Sequence, residues 1–228
     1  MKNVPQHIVL FPDGNRRWAK KHGLPTLKGH FRGKDNLRGF LTWCKNKGVK
    51  VITVFGFSTE NWNRSRKEID YLMNLFERYL SEDKEIFQEN GVRVRIIGQK
   101  KRLPKSLQKV VTEIEGLTKN NKDFYLNLAV SYGGKWDILQ AVQKIIKDRI
   151  STEKINEELF ENYLSTAGLP VPDLVIRAGG EMRLSNFVIW QAAYSELYFS
   201  KKLWPEFTEK DLDRALEEYN LRQRRFGR

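Results

Sequence analysis

Ile8-Val9-Leu10-Phe11-Pro12-Asp13-Gly14-Asn15-Arg16-Arg17-Trp18 decides how the rest of the chain is read. Four apolar residues in a row predict a short buried strand. Pro12 cannot donate to a sheet ladder, Asp13-Gly14-Asn15 is turn chemistry, and Arg16 to His22 can open a helix. The strand therefore empties into a carboxylate, a glycine, an amide and two guanidiniums at a helix N-terminus. Free N–H groups and the helix dipole favour an anion there, and arginines fork onto phosphate oxygens. An aspartate among them is explained if a divalent metal bridges it to the same phosphate. An Asx turn ahead of a solvated basic helix would account for the same residues.

Outward from that stretch, strands and helices alternate. Gly29 to Lys47 has the apolar spacing of a helix, and Gly48 ends it. Val51 to Phe57 reads as a second buried strand that empties into the polar loop Ser58 to Arg64. An amphipathic helix follows over Glu68 to Asn90, stopped by Gly91. Strands are expected at Val92 to Ile97, Tyr125 to Val130 and Leu174 to Ala178, with a shorter one at Glu196 to Phe199. Helices are expected at Pro104 to Leu117, Lys135 to Lys147 and Glu157 to Leu164. A short one is expected through Trp190 and a final one over Thr208 to Arg224. The alternation predicts an α/β fold, a single domain over residues 1–228 with a mainly parallel central sheet flanked by helices. In such sheets ligands bind outside the carboxyl ends of the strands. Four polar loops fall at those ends: Asp13 to Arg17, Ser58 to Arg64, Ser131 to Gly134, and Gly179 to Asn186.

The 228 residues are 40% apolar and 12% aromatic, which suits a globular chain with a large core. No run is long enough for a membrane span, and the N-terminus lacks a signal-peptide core. Cys44 is the only cysteine, so neither a disulfide framework nor a thiolate zinc cluster is available, and a cytoplasmic setting fits. Forty-one basic against 28 acidic residues give a net charge of +13, which suits nucleic acid, an anionic membrane or a phosphorylated substrate.

The candidate site is rich in anion binders: Arg16, Arg17, Arg64, Arg177, Arg183, Ser185 and the paired glycines. Its few carboxylates suit phosphorylated ligands and a divalent metal better than glycosidase chemistry. No Gly-x-x-x-x-Gly-Lys-Ser/Thr loop, Gly-x-Gly-x-x-Gly fingerprint or Gly-x-Ser-x-Gly elbow is present. His7, His22 and His30 lack metal-ligand spacing, and His30 suits either a helix cap or a phosphate. Aromatic residues nearby, including Phe57, Trp62 and Tyr132, would line an apolar cleft for a substrate with a charged head and a hydrocarbon tail.

Together these motifs resemble the cis-prenyltransferase family, of which undecaprenyl diphosphate synthases are the best-known members. Asp13-Gly14-Asn15-Arg16-Arg17-Trp18-Ala19, Phe57 to Arg64, Tyr132 to Asp137, Ile176 to Phe187, Trp190 to Phe199 and Leu203-Trp204-Pro205 carry the resemblance. It implies condensation of isopentenyl diphosphate onto an allylic diphosphate such as farnesyl diphosphate, each new double bond being cis. By the same resemblance Asp13 and Glu196 hold Mg²⁺, and Asp13 with Asn61 is catalytic. Gly14, Asn15, Arg16, Arg17 and His30 bind the allylic diphosphate, and Trp18 is a further substrate-binding residue. Arg177, Arg183 and Ser185 bind isopentenyl diphosphate, while Ser58, Glu60, Trp62, Arg64 and Glu68 place the substrates.

Three positions depart from common family patterns: Arg16 stands for glycine, Thr26 for arginine and Met182 for a histidine near the metal. The resemblance further implies a homodimer completed by an Arg-x-Gly tail, here Arg225-Phe226-Gly227, and peripheral membrane contact through the lipid product. It also implies a tail tunnel between the sheet and the helix at Glu68 to Asn90. There Gly56 opens room near the head, and Phe124 at the far end restricts products to short or medium length. The rival readings are a non-catalytic partner subunit, which would lack the aspartate, and a nucleic-acid-binding protein, for which no module is visible.

Overall fold

The computed structural model describes residues 3–222. In chain order the elements are β1 (His7–Phe11), α1 (Asn15–Lys21), α2 (Thr26–Asn46), β2 (Val51–Ser58), α3 (Arg66–Glu82), α4 (Lys84–Glu89) and β3 (Val92–Ile97). They continue with α5 (Lys105–Thr118), β4 (Phe124–Tyr132), α6 (Gly134–Lys147), α7 (Glu157–Glu161), β5 (Leu174–Arg177), β6 (Glu196–Phe199) and α8 (Glu209–Leu221). The strands form one sheet in the order β3-β4-β2-β1-β5-β6, and every neighbouring pair is parallel.

A parallel sheet covered on both faces needs apolar side chains on both, and β1 is buried at every position. Ile8 and Leu10 face the larger core, with Phe40, Leu72, Leu128 and Trp204. Val9 and Phe11 face a smaller one, with Tyr132, Val175 and Phe187. The one polar residue of β1, His7, is satisfied inside the sheet by the Pro170 carbonyl at 2.7 Å and the Thr53 hydroxyl at 2.8 Å. Burial holds its pKa down at about 4, so it remains neutral.

The chain leaves β1 toward β2 on one side and returns from β4 to place β5 on the other. The direction of winding thus reverses beside β1, and the crevice opens where β1 and β5 end together, with Phe11 opposite Arg177.

Four helical expectations are corrected. The helix expected over Glu68 to Asn90 is broken at Asp83, which leaves helical geometry between α3 and α4. Its carboxylate is held by Arg38 of α2, with Arg38 Nε donating at 2.7 Å. The helix expected through Trp190 does not form: Ser185, Asn186 and Val188 have φ of 46°, 61° and 40°, and a left-handed backbone cannot propagate a right-handed helix. The helix begun at Glu157 stops at Glu161, and that begun at Glu209 stops at Leu221, so the remainder of the expected span to Arg224 includes positions outside the described residues.

Candidate active site

Pro12 ends β1, and Gly14, with φ at 103°, turns the chain so that α1 starts at Asn15. A Cβ at Gly14 would lie 2.8 Å from Leu203 Cδ2, so glycine is required by both conformation and space. Trp204 N–H donates to the Asp13 carbonyl at 2.8 Å and fixes the turn from the other side. The Asp13 carboxylate then faces β5, where its Oδ2 accepts from Arg177 Nη2 at 2.7 Å and from Nε at 3.0 Å.

Arg177 is 4% exposed. Its guanidinium lies over the Phe11 ring at 4.7 Å and donates to Ser185 Oγ at 2.9 Å and to the Arg183 carbonyl. The first glycine after β5 makes this approach possible: a Cβ on Gly179 would lie 2.8 Å from Arg17 Nη2 and 3.1 Å from Asp13 Cβ.

In front of this pair lies a cleft of about 1270 Å³. Of the residues expected from the sequence, Asp13, Gly14, Asn15, Arg16, Arg17, His30, Ser58, Glu60, Asn61, Arg64, Arg177, Arg183 and Ser185 line it. Glu68 stands just behind, in the first turn of α3. It gathers three of the lining groups: Arg64 Nη1 at 3.1 Å, His30 Nε2 at 3.7 Å and Arg16 Nη1 at 3.9 Å. Glu68 thus positions anion binders and is not itself exposed to the cleft. Burial, with Arg64 and Arg16 beside it, depresses the His30 pKa to about 4 against the opposing pull of Glu68. At neutral pH His30 therefore offers an uncharged imidazole. Its Nε2 has no hydrogen-bond partner.

The Ser58 to Arg64 loop is a capped helical turn. Asn61 N–H donates to Ser58 Oγ, and Asn61 Oδ1 accepts from Ser58 N–H at 3.1 Å. Glu60 accepts from Asn186 Nδ2 at 2.9 Å, which ties this loop to the one after β5. Burial raises the Glu60 pKa, but hydrogen bonds from Asn186, its own backbone, Ser58 and Thr59 outweigh that and leave it below the usual carboxylate value.

Four expected placements differ. Trp18 stacks on His22 with centroids 4.5 Å apart and does not line the cleft, because the period of α1 turns it away from Arg16 and Arg17. Trp62 points behind its loop, where its N–H donates to Ser131 Oγ at 2.8 Å and Arg102 covers its ring at 4.8 Å. The Ser131 to Gly134 loop lies behind the cleft as a support: Gly134 N–H donates to the Asn186 carbonyl, and a Cβ at Gly133 would lie 2.6 Å from Thr59 Oγ1. Glu196 is not beside Asp13 within one chain. It starts β6 opposite Leu174, three residues before the Arg177 end of the register, and is paired with Arg222 at 3.1 Å.

Lys20, Glu181 and Asn186 also line the cleft and were not singled out as binding residues. Lys20 was legible, since it lies one helical turn beyond Arg16. Glu181 bridges Arg183 at 2.6 Å and Arg17 at 3.5 Å, a role that spacing does not reveal.

The donor set fits a hard divalent cation. Asp13 is a cleft-facing carboxylate among cations that would collect phosphate oxygens, and such a metal commonly relies on one or two carboxylates plus substrate phosphates. Among the described residues no group of three His, Cys, Asp or Glu side chains is placed to hold a metal without such help.

The prenyltransferase family model described as undecaprenyl diphosphate synthase matches residues 11–227. The chain belongs to that family. An isoprenyl transferase of Thermotoga maritima is 49% identical over 226 residues, covering 98% of this chain and 97% of its own. A geranylgeranyl-diphosphate-specific tritrans,polycis-undecaprenyl-diphosphate synthase of Pyrococcus horikoshii is 47% identical over 232 residues, covering 99% and 88%. The crystal structure of lavandulyl diphosphate synthase from Lavandula x intermedia, in complex with dimethylallyl diphosphate, superposes with a TM-score of 0.94 at 39% identity, covering 99% of each chain. This family member is an enzyme of the cis-prenyltransferase type, and the non-catalytic reading is not favoured. Among the described residues no helix is long and apolar enough to cross a membrane.

Proposed function

We propose that the protein condenses isopentenyl diphosphate with an allylic diphosphate to give a Z-prenyl diphosphate. The observation that carries the reading is the Asp13–Arg177 pair at the adjoining ends of β1 and β5, facing a cation-lined cleft large enough for two diphosphates. Arg16, Arg17 and His30 approach from α1 and α2 and would take the allylic diphosphate. Arg177, Arg183 and Ser185 approach from β5 and would take isopentenyl diphosphate.

In the reaction the allylic C–O bond breaks, a C–C bond forms to the terminal carbon of isopentenyl diphosphate, and a proton is lost. Charge develops on the departing diphosphate oxygens, where guanidiniums fixed before the substrate arrives are most effective. Mg²⁺, held by Asp13 and phosphate oxygens, would supply Lewis-acid stabilisation of that charge. Ser58, Asn61 and Glu60 form a hydrogen-bonded wall on the isopentenyl side and would orient the group that loses the proton. Incubation with isopentenyl diphosphate, farnesyl diphosphate and Mg²⁺ should yield prenyl diphosphates longer than the starter by mass spectrometry. A protein that leaves both substrates unchanged refutes the reading.

The active form is proposed to be a homodimer that touches the membrane only through its lipid product. Arg225-Phe226-Gly227, the candidate tail for the neighbouring site, lies outside the described residues. Deleting Arg225 to Arg228 should raise the KM for isopentenyl diphosphate and lower kcat while the dimer persists in sedimentation. Unchanged kinetics in the truncated protein would exclude a shared site.

A further inference from the structure

The edge strand β3 is separated from β1 by β4 and β2, yet its exit reaches the site through a closed set of contacts behind the Ser58 to Arg64 loop. At their centre is Ser131, near the end of β4. It is the extra residue of a β-bulge: Val130 lies opposite Phe57 and Tyr132 opposite Ser58, so Ser131 is passed over in the pairing with β2. It is fully buried, and its φ of 55° is left-handed. Such a backbone costs a serine what it would not cost a glycine, so packing alone does not account for the side chain. Bulges beside active sites re-aim side chains, and this one is aimed at the loop.

The hydroxyl uses both of its capacities. Its oxygen accepts from Trp62 Nε1 at 2.8 Å, and its proton goes to Gln99 Oε1 at 3.2 Å. Gln99, just past β3, returns its own N–H to the Ser131 carbonyl at 3.0 Å. Its Oε1 also accepts from Arg102 Nη1 at 3.3 Å, and the Arg102 guanidinium lies over the Trp62 ring at 4.8 Å. Gly98 allows the two strand exits to approach: a Cβ there would lie 2.3 Å from the Val130 carbonyl oxygen. Phe57 meets the indole at a steep angle, with ring centroids 5.1 Å apart. Trp62 is thus held by its N–H and by contacts of its ring with Arg102 and Phe57.

What Trp62 carries is the front of its loop. Asn61, just before it, and Arg64, two residues after, both line the cleft. Arg64 in turn meets Glu68, which also faces His30 and Arg16. The turn spans only Thr59–Asn63, so the indole cannot shift without shifting Asn61.

Resting on the reading above as a cis-prenyltransferase, we propose that Ser131 is a positioning residue for the condensation. With Gln99 and Arg102 it locks Trp62 from behind. Through Trp62 it holds Asn61 and Arg64 where the two diphosphates and the leaving proton require them.

The test sets kcat with isopentenyl diphosphate, farnesyl diphosphate and Mg²⁺ against the thermal unfolding midpoint. The variants are Ser131→Gly, Ser131→Ala, Trp62→Phe and the combination of Ser131→Gly with Trp62→Phe. Misplacing a reacting group by about 1 Å can cost roughly a hundredfold in rate, so Ser131→Gly should lose about tenfold or more in kcat. Ser131→Ala should lose as much but unfold at a lower temperature than Ser131→Gly, because alanine keeps the left-handed penalty. Rate then follows the hydroxyl and stability follows the backbone, a separation that a merely structural serine would not give. Trp62→Phe removes the donor from the other side and should also lower kcat, and adding Ser131→Gly to it should cost little more. It carries the test if neither Ser131 variant folds. The inference is overturned by wild-type kcat from a folded Ser131→Gly or Trp62→Phe protein, by rates that track the melting temperatures of the two Ser131 variants, or by losses that add in full in the double variant. A wild type that condenses neither substrate overturns the functional reading itself.

Discussion

Asp13→Ala is expected to lose at least a hundredfold in kcat while keeping its fold. Among the described residues the carboxylate is the one acidic group ion-paired with Arg177, and it lines the cleft where two diphosphates would meet. Removing a single preorganised group that stabilises developing charge typically costs about 10²–10³ in rate. Arg177 would lose its carboxylate but keep Ser185 Oγ and the Arg183 carbonyl, so its buried guanidinium remains partly satisfied. Stranding a buried charge by removing its ion partner costs about 3–5 kcal/mol when nothing else pairs it, and the acceptors that remain keep the loss below that. Asp13→Asn, which retains shape but not charge, should share the kinetic loss. Steady-state rates and urea unfolding on the same preparations separate the two effects. A folded Asp13→Ala protein with near-normal kcat would remove the aspartate from the chemistry.

The sheet was legible because its signal is local. Val92 to Ile97 and Glu196 to Phe199 are strands with the expected bounds, and the other strands differ by at most two residues at an end. Buried runs bounded by glycine and proline leave few other readings. The breaks were less legible because their causes are distant in sequence. Nothing near Asp83 announces that Arg38, 45 residues earlier, will hold it out of the helix. The Ser185 to Val188 segment carries no glycine to mark its left-handed backbone. At the site, the residues on strand ends were placed well because a parallel sheet brings strand ends to one edge. Trp18, Trp62 and Glu196 were not, because a resemblance assigns a position to a motif without fixing which side of its element the side chain takes.

The glycines of α2 show how closely packing and site are joined, and Gly29→Ala is the sharpest test of that link. Glycine inside a helix ordinarily costs stability, so alanine should help by about 0.5–1 kcal/mol. At Gly116 in α5 an added Cβ meets nothing within 4 Å, and Gly116→Ala should show that gain. At Gly29 the same Cβ would lie 2.0 Å from the Asn15 carbonyl oxygen and 3.1 Å from Ala19 Cβ. A backbone oxygen cannot rotate aside, so α1 and α2 must separate. One turn on, Gly33 faces Asn15 Oδ1 in the same way, with a Cβ distance of 2.3 Å, which leaves the helices no easy sliding path. Forcing an extra carbon into a packed contact costs about 1–3 kcal/mol, more than the propensity gain returns.

The displaced residue is Asn15, whose Nδ2 holds the Pro12 carbonyl at 3.1 Å and whose neighbours are Gly14 and Arg16. Gly29→Ala should therefore lower the unfolding midpoint and raise the KM for the allylic diphosphate more than that for isopentenyl diphosphate, whose ligands come from β5. If Gly29→Ala stabilises the protein as much as Gly116→Ala and leaves both KM values alone, α2 does not seat the phosphate turn.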